Sequence, residues 1–585
     1  MGELDYHFSA GKIIHLLCKF RIKFAKQRHA IQMLNDISTN PAVTKKFQSF
    51  VCPRELADLL PPRRQWCRLK PLERKKIKDP YKIAIVQLER TISTTHIRVM
   101  NGEIEAPVWY VRLGTFIREI QESLNTSIQI AAPAILAAKK ENRKFCKQYR
   151  PLASYPLKER IIISSTTKYL TDIFDEYLYD CAYAFRRPNG NGSVSHHSTV
   201  DRILAFLKAN PGKEIWVAEC DIKKFYDCVN HSEIWSIFCN FVDKVKADGK
   251  PFDSRAATIF SAYLDSYSFN KNVLPLNANN YFGDQKIRNG QFDWPAKELE
   301  VSFYKGSFGS VKIGLPQGGA LSCLMANLLL HSADDLVLLQ NEISDLLYIR
   351  FCDDMVILST SKQDCSEALD RYLEAINNLK LLAHTPQEVS AYNKHFWEYK
   401  SKLPYKWAPA RKGGVPWLSF VGYQIRYDGC VRPRKKSVEK ERTKQSLKTF
   451  QIMRAVNVRD ALKLNEYSRK SIRQQVYAVQ NRMISMSVGR VKRYGQSGQF
   501  LCWTNGFRKI TNNAAARGQL KMLDRTRNKN LYRLKKQLQD LALSTGKPDD
   551  IDFRTTYFGA PYSYFGVLNS ARPSPSNPRD RQIVP

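Results

Sequence analysis

The stretch Leu347–Thr360, LYIRFCDDMVILST, decides how the rest of this 585-residue chain is read. Apolar and β-branched residues run up to Phe351, two adjacent carboxylates follow at Asp353 and Asp354, and Met355–Leu358 restores an apolar run. The pattern predicts strand, tight turn, strand, with acids at the bend. Neighbouring carboxylates in an otherwise apolar hairpin repel each other and resist desolvation unless a cation or solvent compensates them. A divalent metal is the natural candidate, while a solvated DD turn is ordinary loop chemistry. A second acid on another strand, with a Gly-rich turn between the two, tips the balance toward a site, and the chain has both.

The second acid stands upstream, in EIWVAECDIKKFYDC. Strand-forming residues from Ile215 lead to Asp221, whose carboxylate is expected beyond the end of the sheet, and Phe225 and Tyr226 follow four and five residues on. Asp227 is read as structural. The Gly-rich turn is GLPQGGALSCLMANLLLHSADDLVLL, in which Gly314, Pro316, Gly318 and Gly319 build a turn whose backbone another molecule can approach closely. A helix is predicted from Ala320. Residues 240–312, between these motifs, form a polar insertion rich in Asn, Gly and Tyr with no legible chemistry.

Further out, YRPLASYPLKERIII (Tyr149–Ile163) ends in a β-branched run that predicts a strand, with Lys158 and Arg160 beside it. Cations there suit a triphosphate, Arg through its bidentate fork. Helices are expected over Ile13–Ile37, Thr166–Ala182 and Glu367–Leu382, and a loop at AFRRPNGNGS. PWLSFVGYQIRYDGCVRPRKK reads as strand, turn and strand with Gly429 at the bend. Residues 440–545 read as basic helices with Leu531, Leu534, Leu538 and Leu541 in register, and the Pro-rich tail from Gly559 as extended or disordered.

Charge indicates the partner. Lys and Arg number 92 against 55 Asp and Glu, a net of +37 and a pI near 9.7, so a polyanion is expected. The excess is concentrated: 28 Lys and Arg face 6 Asp and Glu between Val431 and Asp540. Tyr467, Tyr477, Tyr494, Trp503, Phe507 and Tyr532 interleave with these cations, which suits phosphate contacts with base or sugar packing. A solvated helical face would explain the aromatics but not the imbalance. The 13 cysteines lack CxxC spacing and read as reduced, mostly buried thiols of a cytoplasmic protein. MGELDYHF has no apolar signal region, and no membrane span is expected.

Asp221 on one strand and Asp353 with Asp354 on a hairpin, in a strongly basic chain, fit two-metal phosphoryl transfer, with Mg²⁺ as the expected pair of ions and Mn²⁺ as an alternative. No Ser-His-Asp, HExxH or GxxxxGK[ST] pattern competes.

At this point the sequence resembles the reverse transcriptases of bacteria, in order from about Tyr149 to Arg434. The resemblance implies an α+β, right-hand polymerase fold: fingers and palm over 136–435 with an antiparallel palm sheet, a basic helical thumb over 436–545, a helical N-terminal extension over 1–135 and a tail over 546–585. It implies metal ligands at Asp221, Ile222, Asp353 and Asp354, and nucleotide contacts at Lys158, Arg160, Phe225, Tyr226, Gln317 and Gly318, with Tyr226 excluding a ribose 2′-hydroxyl. FVGY, Phe420, Val421, Gly422 and Tyr423, looks like the primer grip. Lys400, Lys402 and Lys406 all compete for the Lys of the intervening motif. No zinc-type HNH segment follows, and the NAxxH and VTG segments of retron enzymes are missing. The long flanks look like the unknown-group and abortive-infection class of phage-defence enzymes. That class implies a noncoding RNA template, a DNA product made from dNTPs, and in some members a homo-oligomer. The alternatives are an intron- or retron-type reverse transcriptase and a catalytically silent RNA-binding scaffold.

Overall fold

The structure is a computed structural model and describes residues 3–35, 41–77, 79–126, 128–139, 148–187, 194–285, 287–338, 345–389, 392–455, 503–544, 560 and 562–563. Residues 188–193 of the expected AFRRPNGNGS loop, Tyr467, Tyr477 and Tyr494 of the basic region, and all but three residues of the tail from Gly559 lie outside the described residues. The chain divides into two compact units, residues 1–17 with 106–421 and residues 18–105 with 422–585. The expected divisions at 135/136 and 435/436 fall inside these units and not at their edges.

The described strands of the first unit are β1 (Ala134–Lys139), β2 (Gln148–Ser154), β3 (Trp216–Asp221), β4 (Gln291–Phe292), β5 (Leu346–Phe351), β6 (Asp354–Ser359), β7 (Lys402–Lys406) and β8 (Trp417–Phe420). The central sheet runs β5-β6-β3-β7, with every neighbouring pair antiparallel. Its inner strands are apolar and β-branched because both faces are covered: Met355–Ser359 and Val217, Ala218 and Cys220 are all buried. Helix Lys362–Asn378 packs on β3, β6 and β7, and helix Ala320–Leu338 packs on that helix. Among the described residues Ala320–Leu338 is long and apolar enough to cross a membrane by length and composition, and most of it is buried inside this unit. A helix that is hydrophobic all round suits such an interior.

A second sheet forms the fingers. β1 and β2 pair antiparallel from Ala134 opposite Ser154 to Lys139 opposite Tyr149, and β4 joins β2 in parallel. The segment that reads as an uninterpretable polar insertion therefore contributes a fingers strand. Its aromatic residues explain this: Tyr267, Phe269, Phe282 and Phe292 form a core cluster with Val273 and Tyr149 of β2.

The strand expected at YPLKERIII is instead the start of helix Leu157–Phe174. Ile161, Ile162 and Ile163 are all buried, and helices surround them, so packing overrides the weak strand preference of β-branched residues. Pro156 directly before the first turn and Glu159 within it were the local signals for a helix start. That helix ends at Phe174, eight residues before the expected Ala182, and the helix expected over Glu367–Leu382 runs Lys362–Asn378 behind a Ser361 cap. The first residues of the chain belong to this unit too: Asp5 pairs with Arg255 at 2.9 Å, and Gln121 donates to the Phe8 carbonyl at 3.0 Å.

In the second unit β9 (Tyr423–Arg426) and β10 (Val431–Pro433) pair antiparallel, and helices Lys435–Ala455 and Ala514–Ser544 pack together. Val438, Leu520, Leu523 and Tyr562 form their shared core. Leu531 and Leu534 are buried as the heptad-like pattern predicts, while the side chains of Leu538 and Leu541 lie outside the described residues. Tyr562 departs from the expected free tail. It is fully buried, its hydroxyl donates to Glu441 Oε1 at 3.0 Å, and its N–H donates to Asp524 Oδ1 at 2.8 Å.

Candidate active site

The three acids come together through strand register. Asp221 ends β3 directly opposite Asp354, the first residue of β6, and directly opposed residues of an antiparallel pair project from the same face. Asp353 lies in the two-residue turn, Cys352–Asp353, that joins β5 to β6. Burial pushes the Asp353 carboxyl above its ordinary range; the charge of Asp221 adds to this, and that of Arg150 opposes it. Cys352 holds the left-handed conformation at φ 60°, where a two-residue hairpin favours glycine. Such a position costs on the order of 1–3 kcal/mol and persists where the surroundings over-determine it.

Other predicted residues take varied places. The Tyr226 hydroxyl is 3.1 Å from Cys352 Sγ, and burial with the two nearby thiols of Cys352 and Cys323 raises it above the ordinary phenol range. Phe225, expected at the nucleotide, faces the core at 2% exposure, so only its backbone is available to a ligand. The Ile222 side chain is buried and its backbone bridges to Ala383. Lys158 and Arg160 lie half-buried in the first turn of helix Leu157–Phe174, and burial lowers the Arg160 guanidinium. In FVGY, Phe420 and Tyr423 are buried; Val421 (φ 41°) and Gly422 (φ 90°) form the partly exposed turn between them.

The Gly-rich turn serves the interior more than an outside molecule. A Cβ at Gly319 would lie 1.8 Å from the Tyr263 hydroxyl, and one at Gly314 would lie 2.7 Å from Phe269 Cβ. Gly318, at φ 103°, keeps the left-handed freedom the turn needs. Gln317 donates through Nε2 to Asp227 Oδ1 at 2.7 Å, which gives buried Asp227 the partner the sequence does not name. The Gln317 carbonyl accepts from Ala153 on β2, and the Leu315 N–H donates to the Tyr226 carbonyl, so the turn ties fingers to palm. From the insertion, Trp294 donates to the Asp227 carbonyl at 2.9 Å and Lys224 donates to that of Asp293 at 2.8 Å.

The three competing lysines separate. Lys400 Nζ is 3.0 Å from Asp221 Oδ2, Lys402 is buried against Glu219 at 2.8 Å, and Lys406 pairs with Glu214. His384, which the sequence reading passes over, donates its N–H to the Asp221 carbonyl and holds Nε2 2.9 Å from Lys400. Arg150 is also missed. It alternates with buried Tyr149 and Pro151 along β2, which puts it on the exposed face of that strand, and its charge is felt at Asp353.

The donor set suits a hard divalent cation, because it is all carboxylate oxygen and Lys400 already sets a positive charge on Asp221. Among the described residues no three His, Cys, Asp or Glu side chains gather closely enough to hold an ion by themselves. A magnesium-type ion does not need such a cage, since it keeps waters and binds substrate phosphates.

Residues 277–385 match the family described as reverse transcriptase (RNA-dependent DNA polymerase). The match takes in the Gly-rich turn, helix Ala320–Leu338 and both hairpin acids, and stops short of Asp221, which joins them through β3. No curated protein matches the chain. Among solved structures it is similar to apo telomerase from Candida tropicalis, at 10% identity over 93% of this chain and 98% of that one with a TM-score of 0.34. It is also similar to telomerase from Candida albicans in complex with a fragment of telomeric RNA, at 9% identity over 87% and 86% with a TM-score of 0.30. Likeness that low adds nothing to what the sheet register and family match provide. Enzymes with this domain use divalent metal ions. With its right-hand polymerase fold and a matched reverse transcriptase domain, the chain is an RNA-directed DNA polymerase.

Proposed function

We propose that the chain extends a primer with dNTPs by two-metal phosphoryl transfer, copying an associated noncoding RNA in antiphage defence. The register of Asp221 against Asp354, with Asp353 in the adjoining turn, carries the catalytic part. In the reaction the primer 3′-oxygen bonds to the α-phosphorus, the bond to the β-phosphate oxygen breaks, and pyrophosphate leaves. Asp221, Asp353 and Asp354 would hold two Mg²⁺, which when bound supply the charge that activates the hydroxyl and stabilises the leaving group.

The remaining roles belong to this chain's own groups. Arg150, whose charge is felt at Asp353, would join Lys158 and Arg160 in holding the triphosphate. The Tyr226 ring, fixed by the Cys352 thiol, would stand against a ribose 2′-hydroxyl. The Val421–Gly422 turn would meet the primer through its backbone. The defence reading is supported by the long flanks outside Tyr149–Arg434, which look like those of the unknown-group and abortive-infection class.

Two measurements test this. Incorporation of dNTPs on an RNA template with Mg²⁺ is expected from wild type and lost in Asp353→Asn; equal incorporation by both overturns the catalytic reading. Sequencing the nucleic acid that copurifies from the host is expected to give one enriched noncoding RNA and its complementary DNA, whereas intron or retron RNA overturns the defence reading.

A further inference from the structure

Arg350 lies on β5, two residues before the Cys352–Asp353 turn, and both it and Asp334 are wholly buried. Its guanidinium donates from Nε to Asp334 Oδ1 at 2.9 Å and from Nη2 to Oδ2 at 2.6 Å. Nη1 donates to Asn327 Oδ1 at 3.1 Å and reaches the Cys352 carbonyl at 3.4 Å. Asp334 also accepts from the Tyr348 hydroxyl at 2.8 Å, and Asn327 donates onward to the Ala184 carbonyl at 2.7 Å. Asn327 and Asp334 are two turns apart on one face of helix Ala320–Leu338. The Arg350 backbone is engaged as well, donating to Cys181 at 2.8 Å and accepting from Tyr183 at 2.9 Å.

Stability does not account for this pair. Two buried charges lose their hydration, and well-packed apolar residues of similar volume in their place are often neutral or stabilising. Burial alone would lower the Arg350 guanidinium, but Asp334 outweighs it and holds the group charged above its ordinary value. A geometric role fits better. Arg350 links a helix, the 181–184 segment and β5 to the carbonyl of a left-handed non-glycine residue, and Asp353 is the next residue.

We propose that Asp334 and Arg350 are a positioning pair that fixes the backbone of the Cys352–Asp353 turn, so that the hairpin acids are presented to Asp221 in one geometry. The catalytic consequence rests on the polymerase reading above; the positional claim does not.

The test replaces both charges together, Asp334→Leu with Arg350→Met, in the full-length protein. Melting is expected at or above the wild-type temperature, while amide hydrogen exchange in the peptide covering 349–356 speeds up about fivefold or more. For dNTP incorporation, kcat falls roughly ten- to a hundredfold, the scale of a small misplacement of reacting groups, with KM for dNTP little changed. Unchanged exchange in the turn overturns the proposal. Faster exchange in a chain whose wild type makes no polymer supports the positioning pair and removes the polymerase reading instead. If the double variant fails to fold, Arg350→Lys keeps the charge and loses the fork. It is then expected to melt near wild type with faster exchange in the turn, and unchanged exchange again overturns the proposal.

Discussion

Tyr226 and Lys400 are the single residues at which the proposed selectivity and metal binding of the site can be tested. The Tyr226 hydroxyl is held beside Cys352 within a buried pocket, so its ring has little freedom to yield to a bulkier sugar. Tyr226→Ala is expected to raise ribonucleotide use relative to dNTPs by roughly tenfold or more, as opening a packed pocket does, with metal binding unchanged. Competition assays with paired nucleotides check this, and unchanged selectivity removes Tyr226 from the role. Lys400 sits on the Asp221 carboxylate and is itself more than half exposed at 55%, so the pair is a weak one. Lys400 would give way to a cation at Asp221 at small cost. Lys400→Met is therefore expected to tighten Mn²⁺ binding by about two- to fivefold, the range of an exposed ion pair, as read from the free-ion electron paramagnetic resonance signal. No change, or weaker binding, contradicts it. The three acids were legible in sequence because they stand at the borders of apolar runs. Arg150 and His384 were not, because what matters about them is proximity to residues more than 150 positions away.

At the scale of elements, the Gly-rich turn connects the fingers, the insertion and the palm. Gly319 has no room for a methyl group beside the buried Tyr263 hydroxyl. Gly319→Ala is expected to destabilise the protein by about 1–3 kcal/mol through overpacking, and Tyr263→Phe in the same chain to restore part of the loss. Gln317→Leu removes a charge-assisted bond to buried Asp227 and is expected to cost about 1.5–3 kcal/mol. Denaturant midpoints check both, and wild-type midpoints refute them. The strand–turn–strand of the acidic hairpin followed directly from its two apolar runs and the adjacent acids between them. The Ile161–Ile163 run did not, because a β-branched triplet fits a strand or a buried helix equally and only its neighbours decide. The insertion was opaque for a related reason: its four core aromatics are scattered among Asn and Gly, with no period to mark them.

At the scale of the whole molecule, the net charge of +37 states the partner class more plainly than any contact. RNA affinity is expected to fall about tenfold or more between roughly 50 and 200 mM salt, with a slope set by the phosphates neutralised. Fluorescence anisotropy checks this, and salt-independent binding contradicts it. Linear reading divided the chain into successive segments, yet its compact units each combine an N-terminal and a later stretch, which a single sequence does not reveal. The central claim is that Asp221, from one strand, shares a cation site with the Asp353–Asp354 hairpin. The most direct measurement is anomalous scattering from crystals of the protein with primer, RNA template, Mn²⁺ and a non-hydrolysable dNTP. Two manganese peaks between Asp221 and the hairpin acids, with Lys400 displaced, are predicted; metal density elsewhere, or Lys400 still seated on Asp221 with nucleotide bound, would contradict it.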